Sequence, residues 1–445
     1  MSRYEAGVRS DGGSFAFPID TGLASRLEGL GLLNASSLVN SCNAGKESVL
    51  YNLIPTPIQS LDRFAVTRST VKWVLGANGV LQEIPANTPA FEYNTDGTYR
   101  GLLVEPAGTN LLLRSEDFSA SWSPVRASVA TNAETSPSAT LTVDKLIEDT
   151  TPSNSHYVFQ GASVTNGTAY TVSVFVKASE RTNVAIQFFN TNSAFATSLA
   201  YFNIGTGTIT DSSQVNSATI TAYPNGWYRI SATETATATA TGNIAIMLVS
   251  SGTTTSYTGD GTSGIFIWGA QLETGSVATS YIPTVASTQT RTADSVTLTG
   301  ASSLIGQTEG TLYVEAIFAN VAGSNFARVL ECFTGANDRI SILVNASAAR
   351  GFITTAGVDT QGGTMSEAVS NNTVTKIALA YAVGASQGAF YVNGTGDITS
   401  PTAVPATASI NIGQNISGAL VPQWIRSVVL FPTRLTNATL ATLTT

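Results

Sequence analysis

Apolar residues along this chain come mostly in short runs rich in β-branched and aromatic side chains, broken by clusters of Gly, Asn, Pro and Ser. That is the pattern of strands and turns. FAVTRSTVKWVL, the turn signal Ala77-Asn78-Gly79 and VLQEIP read as a hairpin, and Asp96-Gly97 marks a second turn ahead of GLLVEP. Between 110 and 285 follow AYTVSVFVKA, NVAIQFFN, LAYFNI, WYRISATETATA, NIAIMLV and GIFIWGAQLE, the spacing expected of a β-sandwich. In YTVSVFV, Val172, Val174 and Val176 share one face and Phe175 lies on the other, which predicts a central strand covered on both sides. Tyr281-Ile282-Pro283-Thr284 leads into the polar stretch VASTQTRTADS, read as a domain boundary. Beyond it come DSVTLT, GTLYVEAIFA, ARVLECF, RISILVN, TKIALAYAV, GAFYVNG, SINIG and PQWIRSVVLF. No strand–helix–strand alternation occurs, so antiparallel sandwiches are expected rather than a parallel sheet.

Two segments depart from this pattern. Leu23, Leu27 and Leu30 recur at i, i+4 and i+7 and predict a short amphipathic helix that Gly29 and Gly31 end. A region of about 45 residues buries little core alone, so it should dock onto something else. At the other end, LTNATLATLTT predicts a helix with Thr436 as N-cap and Leu440 and Leu443 as its apolar contacts. The expected organisation is an N-terminal anchoring segment (1–59), a β connector (60–109), one sandwich over 110–285 and another over 286–445. The fold class is all-β: two antiparallel β-sandwiches preceded by a small mixed N-terminal segment.

Composition narrows the function classes. Charged residues are 11% of the chain, against about 25% in typical soluble domains, so the surface is polar yet mostly uncharged. A hydrophobic content of 43% argues against disorder. With a formal net charge of −8 there is no electrostatic footprint for nucleic acid. No run of about 18 apolar residues predicts a membrane span, and MSRYEAGVRSDGG lacks the form of a signal peptide. Assembly in a cytoplasm is therefore expected. Cys42 and Cys332 fall in different units and are read as buried hydrophobes without a disulfide.

Candidate chemistry is sparse. The single histidine, His156, removes most zinc sites and Ser-His triads, and is read as structural. Glycoside hydrolysis needs only two carboxylates, but the 29 acidic residues show no signature pair, so no enzyme is expected. Gly259-Asp260-Gly261-Thr262-Ser263-Gly264 lacks a Lys and a following helix and is read as a loop, not a phosphate cradle. Sugars stack on aromatic rings. Trp122, Trp227 and Trp268 lie in apolar runs and are assigned to the core, which leaves Tyr157, Tyr223 and Tyr257 as carbohydrate-binding candidates.

The chain resembles tailed-bacteriophage virion proteins that join a carbohydrate-binding-module-like jelly roll to a concanavalin- or laminin-G-like sandwich. The resemblance covers roughly residues 50–445. Its most specific elements are the joints FAVTRST, VLQEIPANTPAFEYN, GLLVEPAGTNLLLRSEDF and SYIPTVASTQTRTADSVTL. Phe118, Trp122, His156, Tyr157, YTVSVFVKA, Gly226-Trp227-Tyr228-Arg229 and IFIWGAQLE carry the jelly roll, and KIALAY, FYVNG, SINIG and IRSVVLFPTRLTNATLATL the second sandwich. The resemblance implies a surface-exposed fibre or tail-appendage protein of the virion, a homo-oligomer and by analogy a trimer. It would be attached to other virion proteins through Leu23, Leu27 and Leu30 and directed at a host-surface glycan. A capsid decoration protein or head fibre is the alternative, and a depolymerase tailspike the third reading, although no β-helix repeat is visible. Sugar-binding members of the class often hold a structural calcium at the last strand of the jelly roll. Here that strand reads Ile267-Trp268-Gly269-Ala270, and Glu116 and Asp117 alone make a poor site, so no cofactor is expected.

Overall fold

The computed structural model describes residues 21–32, 38–41, 64–189, 194–322, 326–361, 366–414 and 421–445. Their fold is all-β, two antiparallel sandwiches with a short helix near each end of the described chain. In the first sandwich one six-stranded sheet runs Ser217–Tyr223, Trp227–Thr235, Ala169–Ala178, Gly264–Thr274, Val143–Glu148, Ala127–Glu134. The facing sheet runs Thr208–Asp211, Ser198–Asn203, Asn183–Phe189, Ala240–Val249, Tyr157–Val164, Ser123–Val125. The chain crosses between sheets at 143–148 to 157–164, 169–178 to 183–189, 227–235 to 240–249 and on to 264–274, which is jelly-roll connectivity. Ala169–Ala178 is a central strand, flanked by Trp227–Thr235 and Gly264–Thr274. Its Val172, Val174 and Val176 enter a core with Ile186, Ile246 and Ile267.

The second sandwich is not confined to the C-terminal part of the sequence. One sheet is ordered Thr395–Thr399, Gly388–Val392, Thr375–Ala382, Glu309–Phe318, Gln423–Phe431, Tyr99–Val104, Phe91–Tyr93, with Leu38–Ser41 also pairing to Gln423–Phe431. The other begins Ala65–Thr67, Ser295–Leu298, Ser409–Ile412, Ala327–Gly335 and continues through Asp338–Asn345 and Ala348–Thr355. The expected connector over 60–109 is thus not free-standing: three of its strands complete this sandwich, and Leu102 and Val104 enter its core beside Val314, Val329 and Ile412. The jelly roll is an insertion between Tyr99–Val104 and Ser295–Leu298. Its entry and exit, Gly108–Asn110 and Gln289–Arg291, pair antiparallel as a two-stranded neck. The hairpin Lys72–Leu75 with Leu81–Ile84, turning through Gly79 at φ +75°, wedges between the sandwiches. Strand alternation sends Trp73 and Leu81 to the jelly roll, and Val74 and Ile84 to Leu103, Ile317 and Trp424 of the second sandwich.

Both helices lie on one outer face of the second sandwich. Thr21–Gly29 buries Leu23 and Leu27 completely, with Leu30 half-buried, against Tyr313, Ala378, Ala380, Ala389 and Val429. Asn437–Thr444 covers the same face through Leu440 and Leu443, and the Thr436 side chain caps it by accepting from the Thr439 N–H at 3.2 Å. Arg26 pins the first helix by donating to the Tyr313 hydroxyl at 3.1 Å and pairing with Glu315. The leucines assigned to particle attachment therefore contact their own chain; of the expected anchoring segment 1–59, residues 1–20, 33–37 and 42–59 lie outside the described residues. Cys332 is buried, and Cys42 lies outside the described residues.

Candidate functional site

Five charges are buried where the neck leaves the second sandwich. Arg68 reaches Asp294 at 2.9 Å, Lys72 pairs with Asp294 and with Glu105 (3.1 Å), and Arg291 lies 3.6 Å from Glu105, all with side chains at most 3% exposed. The Ser280 N–H and hydroxyl donate to the Glu105 carboxylate at 2.8 and 2.7 Å, and Lys72 Nζ donates to the Leu103 carbonyl at 3.0 Å. Burial alone would raise the Glu105 pKa, but Arg291 and Lys72 outweigh it and hold it down at about 2. Beside this cluster Asn110, fully buried, uses its whole amide. It donates to the Ala270 and Ile282 carbonyls and accepts from Leu112 and Leu272 N–H. The stereotyped joints of the sequence are these groups: Arg68, Glu105, Asn110, Ser280, Arg291 and Asp294 all lie in them. Their role is to lock the insertion onto its host sandwich.

Above the neck, one outer face of the jelly roll is polar. Cross-strand partners Ser217 with Thr233, Thr219 with Ser231 and Thr221 with Arg229 put rows of hydroxyls side by side, continued by Thr171 and Ser173. Residues 275–284 strap across part of this face. Glu273 accepts from the Thr279 N–H and hydroxyl, Gln271 accepts from the Ile282 N–H at 2.7 Å, and Arg229 donates to the Thr279 carbonyl at 2.8 Å. Burial raises the Glu273 pKa against those hydrogen bonds. The uncovered part of the face forms one wall of a cleft of about 170 Å³ whose other wall, with Trp424, Arg100 and Asn372, belongs to the second sandwich. Tyr223 lines it, its ring edge-on to Phe175 at 5.0 Å. Burial, then the nearby Glu92 carboxylate, push the Tyr223 pKa up to about 12.

The opposite outer face carries an aromatic group that sequence reasoning identified only in part. Tyr157 and Phe159 alternate with the core residue Val158, and Phe189 follows the core residue Phe188, so all three point outward and stay partly exposed. Their ring centroids form a triangle with sides of 6.1, 6.1 and 5.5 Å. Phe159 faces Ala245 across the ladder, and Gln187 faces the same alanine from the other side, so no large side chain separates the rings. The signal was present in the sequence: Phe188 and Phe189 are adjacent and cannot both enter one core.

Tyr257 belongs to neither surface. Its hydroxyl donates to Glu148 at 2.7 Å, which also binds Arg181 Nε at 2.9 Å, and its ring lies 4.8 Å from that of His156. Burial and the Glu148 carboxylate raise its pKa far above the ordinary phenol value. His156 is fully buried and bridges the Arg126 and Tyr257 carbonyls at 2.7 and 3.3 Å, a structural arrangement. In the loop 259–264 the Asp260 carboxylate accepts from the Thr262 and Ser263 N–H groups, an Asx-type turn between strands. Trp122, Trp227 and Trp268 are all core residues, at 5%, 2% and 0% exposure. On the last strand of the jelly roll, Trp268 packs on Tyr281 at 4.7 Å. Glu116 accepts from the Tyr281 hydroxyl, and Asp117 from Ser119. Among the described residues no group of three His, Cys, Asp or Glu side chains is arranged to hold a metal ion.

No protein-family model matches the sequence, and no curated protein matches it. Among solved structures, 34% of the chain is similar to the botulinum neurotoxin serotype C1 binding domain, at 11% identity and a TM-score of 0.28. The chain spans 40% of the length of that structure. It is also similar to domain 4 of AbnA, an extracellular arabinanase of Geobacillus stearothermophilus solved with arabinotriose. That match has 14% identity and a TM-score of 0.29, and covers 34% of this chain and 73% of that one.

Proposed function

We propose that the protein is a non-enzymatic component of a bacteriophage particle, a fibre or tail-appendage protein that presents its jelly roll outward to bind a host-surface glycan. The observation that supports glycan binding is the outward triangle of Tyr157, Phe159 and Phe189. A pyranose offers an apolar face to such rings, and Gln187 and Asn243, on the same face of the sheet, supply amides for its hydroxyls. The virion reading is supported by the order of the two sandwiches and by their shared joints, which the structure puts to use as one locking device. A non-enzymatic role fits the buried carboxylates. Glu105, Asp294, Glu315 and Glu331 each have a cationic partner, Glu148 is tied to Arg181, and Asp144 and Glu273, whose pKa values burial raises, are held by the Phe118 and Asn132 N–H groups and by Thr279.

The test is binding of the full chain to a glycan array and to host cells, beside the double variant Tyr157→Ala, Phe159→Ala. Each aromatic contact is worth about 0.5–1.5 kcal/mol, so the variant, shown to be folded by circular dichroism, should bind roughly tenfold or more weakly. Equal binding by the variant sinks the aromatic-face assignment. Hydrolysis of host polysaccharide by the protein would favour a depolymerase, and labelling confined to the head would favour a decoration protein.

A further inference from the structure

We propose that the cleft between the two sandwiches is a second ligand site, separate from the aromatic face, and that it takes a single carboxylated sugar residue, a uronic-acid-type unit. In this assignment Arg100 and Arg229 receive the carboxylate, and the rows of Ser and Thr hydroxyls receive the ring hydroxyls.

The two guanidiniums carry the inference. Arg68, Lys72 and Arg291 in the neck, and Arg26 and Arg181, each have a carboxylate within ion-pair distance, whereas among the described residues Arg100 and Arg229 have none within 4 Å, Glu92 and Glu273 acting on them only from farther away. Each is held by an aromatic ring instead: Arg100 lies over Trp424 at 3.7 Å from the ring centroid and Arg229 over Phe175 at 5.3 Å. Such stacking fixes the plane of a guanidinium and leaves its edge free for a planar anion. Arg100 makes one hydrogen bond, to Asn372 at 3.1 Å; Arg229 bonds Thr279 and Ser173, and its buried Nε has no acceptor. A cleft that holds two guanidiniums with no carboxylate within 4 Å, beside a Glu92 whose pKa burial raises, can receive an anion there.

The remainder of the lining distinguishes a sugar acid from a bare anion. Thr219 and Ser231 already share a hydrogen bond of 2.6 Å, but Ser217 and Thr221 project from exposed positions on the same strand, so their hydroxyls can donate to or accept from a polyol. Glu92, on the opposite wall, is bound by the Trp424 indole N–H; burial raises its pKa, and it offers a further acceptor. A ring hydroxyl can donate to such an acceptor, which a fully ionised bare anion such as sulfate cannot. At about 170 Å³ the cleft is smaller than the roughly 300–1,000 Å³ of a drug-sized site, which limits it to about one ring.

The experiment is calorimetric titration of the full chain with galacturonate, galactose and inorganic phosphate. Galacturonate should bind, and galactose and phosphate should bind roughly tenfold or more weakly, because the carboxylate contributes charge-assisted hydrogen bonds. Arg100→Gln should reduce galacturonate to the galactose level. Thr221→Trp, which fills the cleft from an exposed position and removes no hydrogen bond of the fold, should abolish binding. Tyr157→Ala with Phe159→Ala should leave it unchanged, so failure of this site and failure of the aromatic face are separable. The proposal is overturned if the wild type does not bind galacturonate at millimolar concentration, if galactose or phosphate binds as tightly, or if Thr221→Trp binds like the wild type.

Discussion

Among single residues, Glu105 has the greatest structural consequence. Among the described residues it is the one carboxylate within ion-pair distance of Arg291, and it shares Lys72 with Asp294, so removing its charge leaves Arg291 unpaired and three buried cations facing one carboxylate. Glu105→Gln should cost about 3–5 kcal/mol in urea unfolding at neutral pH. The sign of its pH dependence follows from its depressed pKa. A folded value of about 2 against an ordinary 4.5 means the group stabilises the fold above 4.5 and loses that contribution as the pH falls toward 2. The gap between wild type and Glu105→Gln should therefore close across that window; a constant gap would refute the assignment. In a chain with few charges, a cluster of charged residues inside FAVTRST, GLLVEP and QTRTADS was a legible sign of purpose. Its burial was not, because the partners come from positions 68 and 294, far apart in sequence. Exposure of tyrosines was equally hidden: the Pro, Asn, Gly and Asp flanks of Tyr223 and Tyr257 announce loops, but Tyr223 ends the strand Ser217–Tyr223 in the inter-sandwich cleft and Tyr257 folds back onto Glu148.

At the scale of elements, periodicity made most of the long strands and both helices readable. The C-terminal helix follows its predicted cap and contacts, and the N-terminal one ends at its glycines, with Gly31 at φ +67°. What periodicity missed were the break that divides the run FAVTRSTVKWVL into Ala65–Thr67 and Lys72–Leu75, which pair with different partners, and the strand Phe91–Tyr93, at three residues too brief for a repeat of two to stand out. Packing makes the first helix part of the fold. Leu27→Ala should cost about 2–5 kcal/mol, since a fully buried leucine leaves a cavity against the sheet. This also decides how attachment to a particle should be tested. A deletion of residues 1–50 removes the helix and the strand Leu38–Ser41, and would damage the sandwich itself. Deletion of 1–20 spares both. A loss of incorporation at an unchanged thermal midpoint would then report attachment alone.

For the whole molecule, the order of elements in space departs from their order in sequence. A fragment of residues 286–445 lacks three strands between 65 and 104 that close both sheets of its sandwich. It should express as an aggregating or molten species, with unpaired edges and Tyr99, Leu102 and Val104 missing from its core. Residues 111–284, which contain every strand of both jelly-roll sheets, should fold cooperatively alone, as should a chain in which 111–288 are replaced by a short glycine–serine link. Circular dichroism and denaturant melts of the three fragments check this; a stable 286–445 would show that the added strands are ornamental. The sequence gives no warning of such an insertion, because a polar run such as VASTQTRTADS looks the same whether it links two domains in series or returns the chain to a domain already begun.

The paired neck at Gly108–Asn110 and Gln289–Arg291 makes the inserted domain a removable cassette. Its two ends lie about 5 Å apart, one strand spacing, so any module with adjacent termini can be seated there without disturbing the sheets that receive it. Under the proposed function, recognition and mounting can then change independently. Exchange of one recognition module for another, by recombination or at the bench, has to preserve little more than the ionic lock and the wedge hairpin.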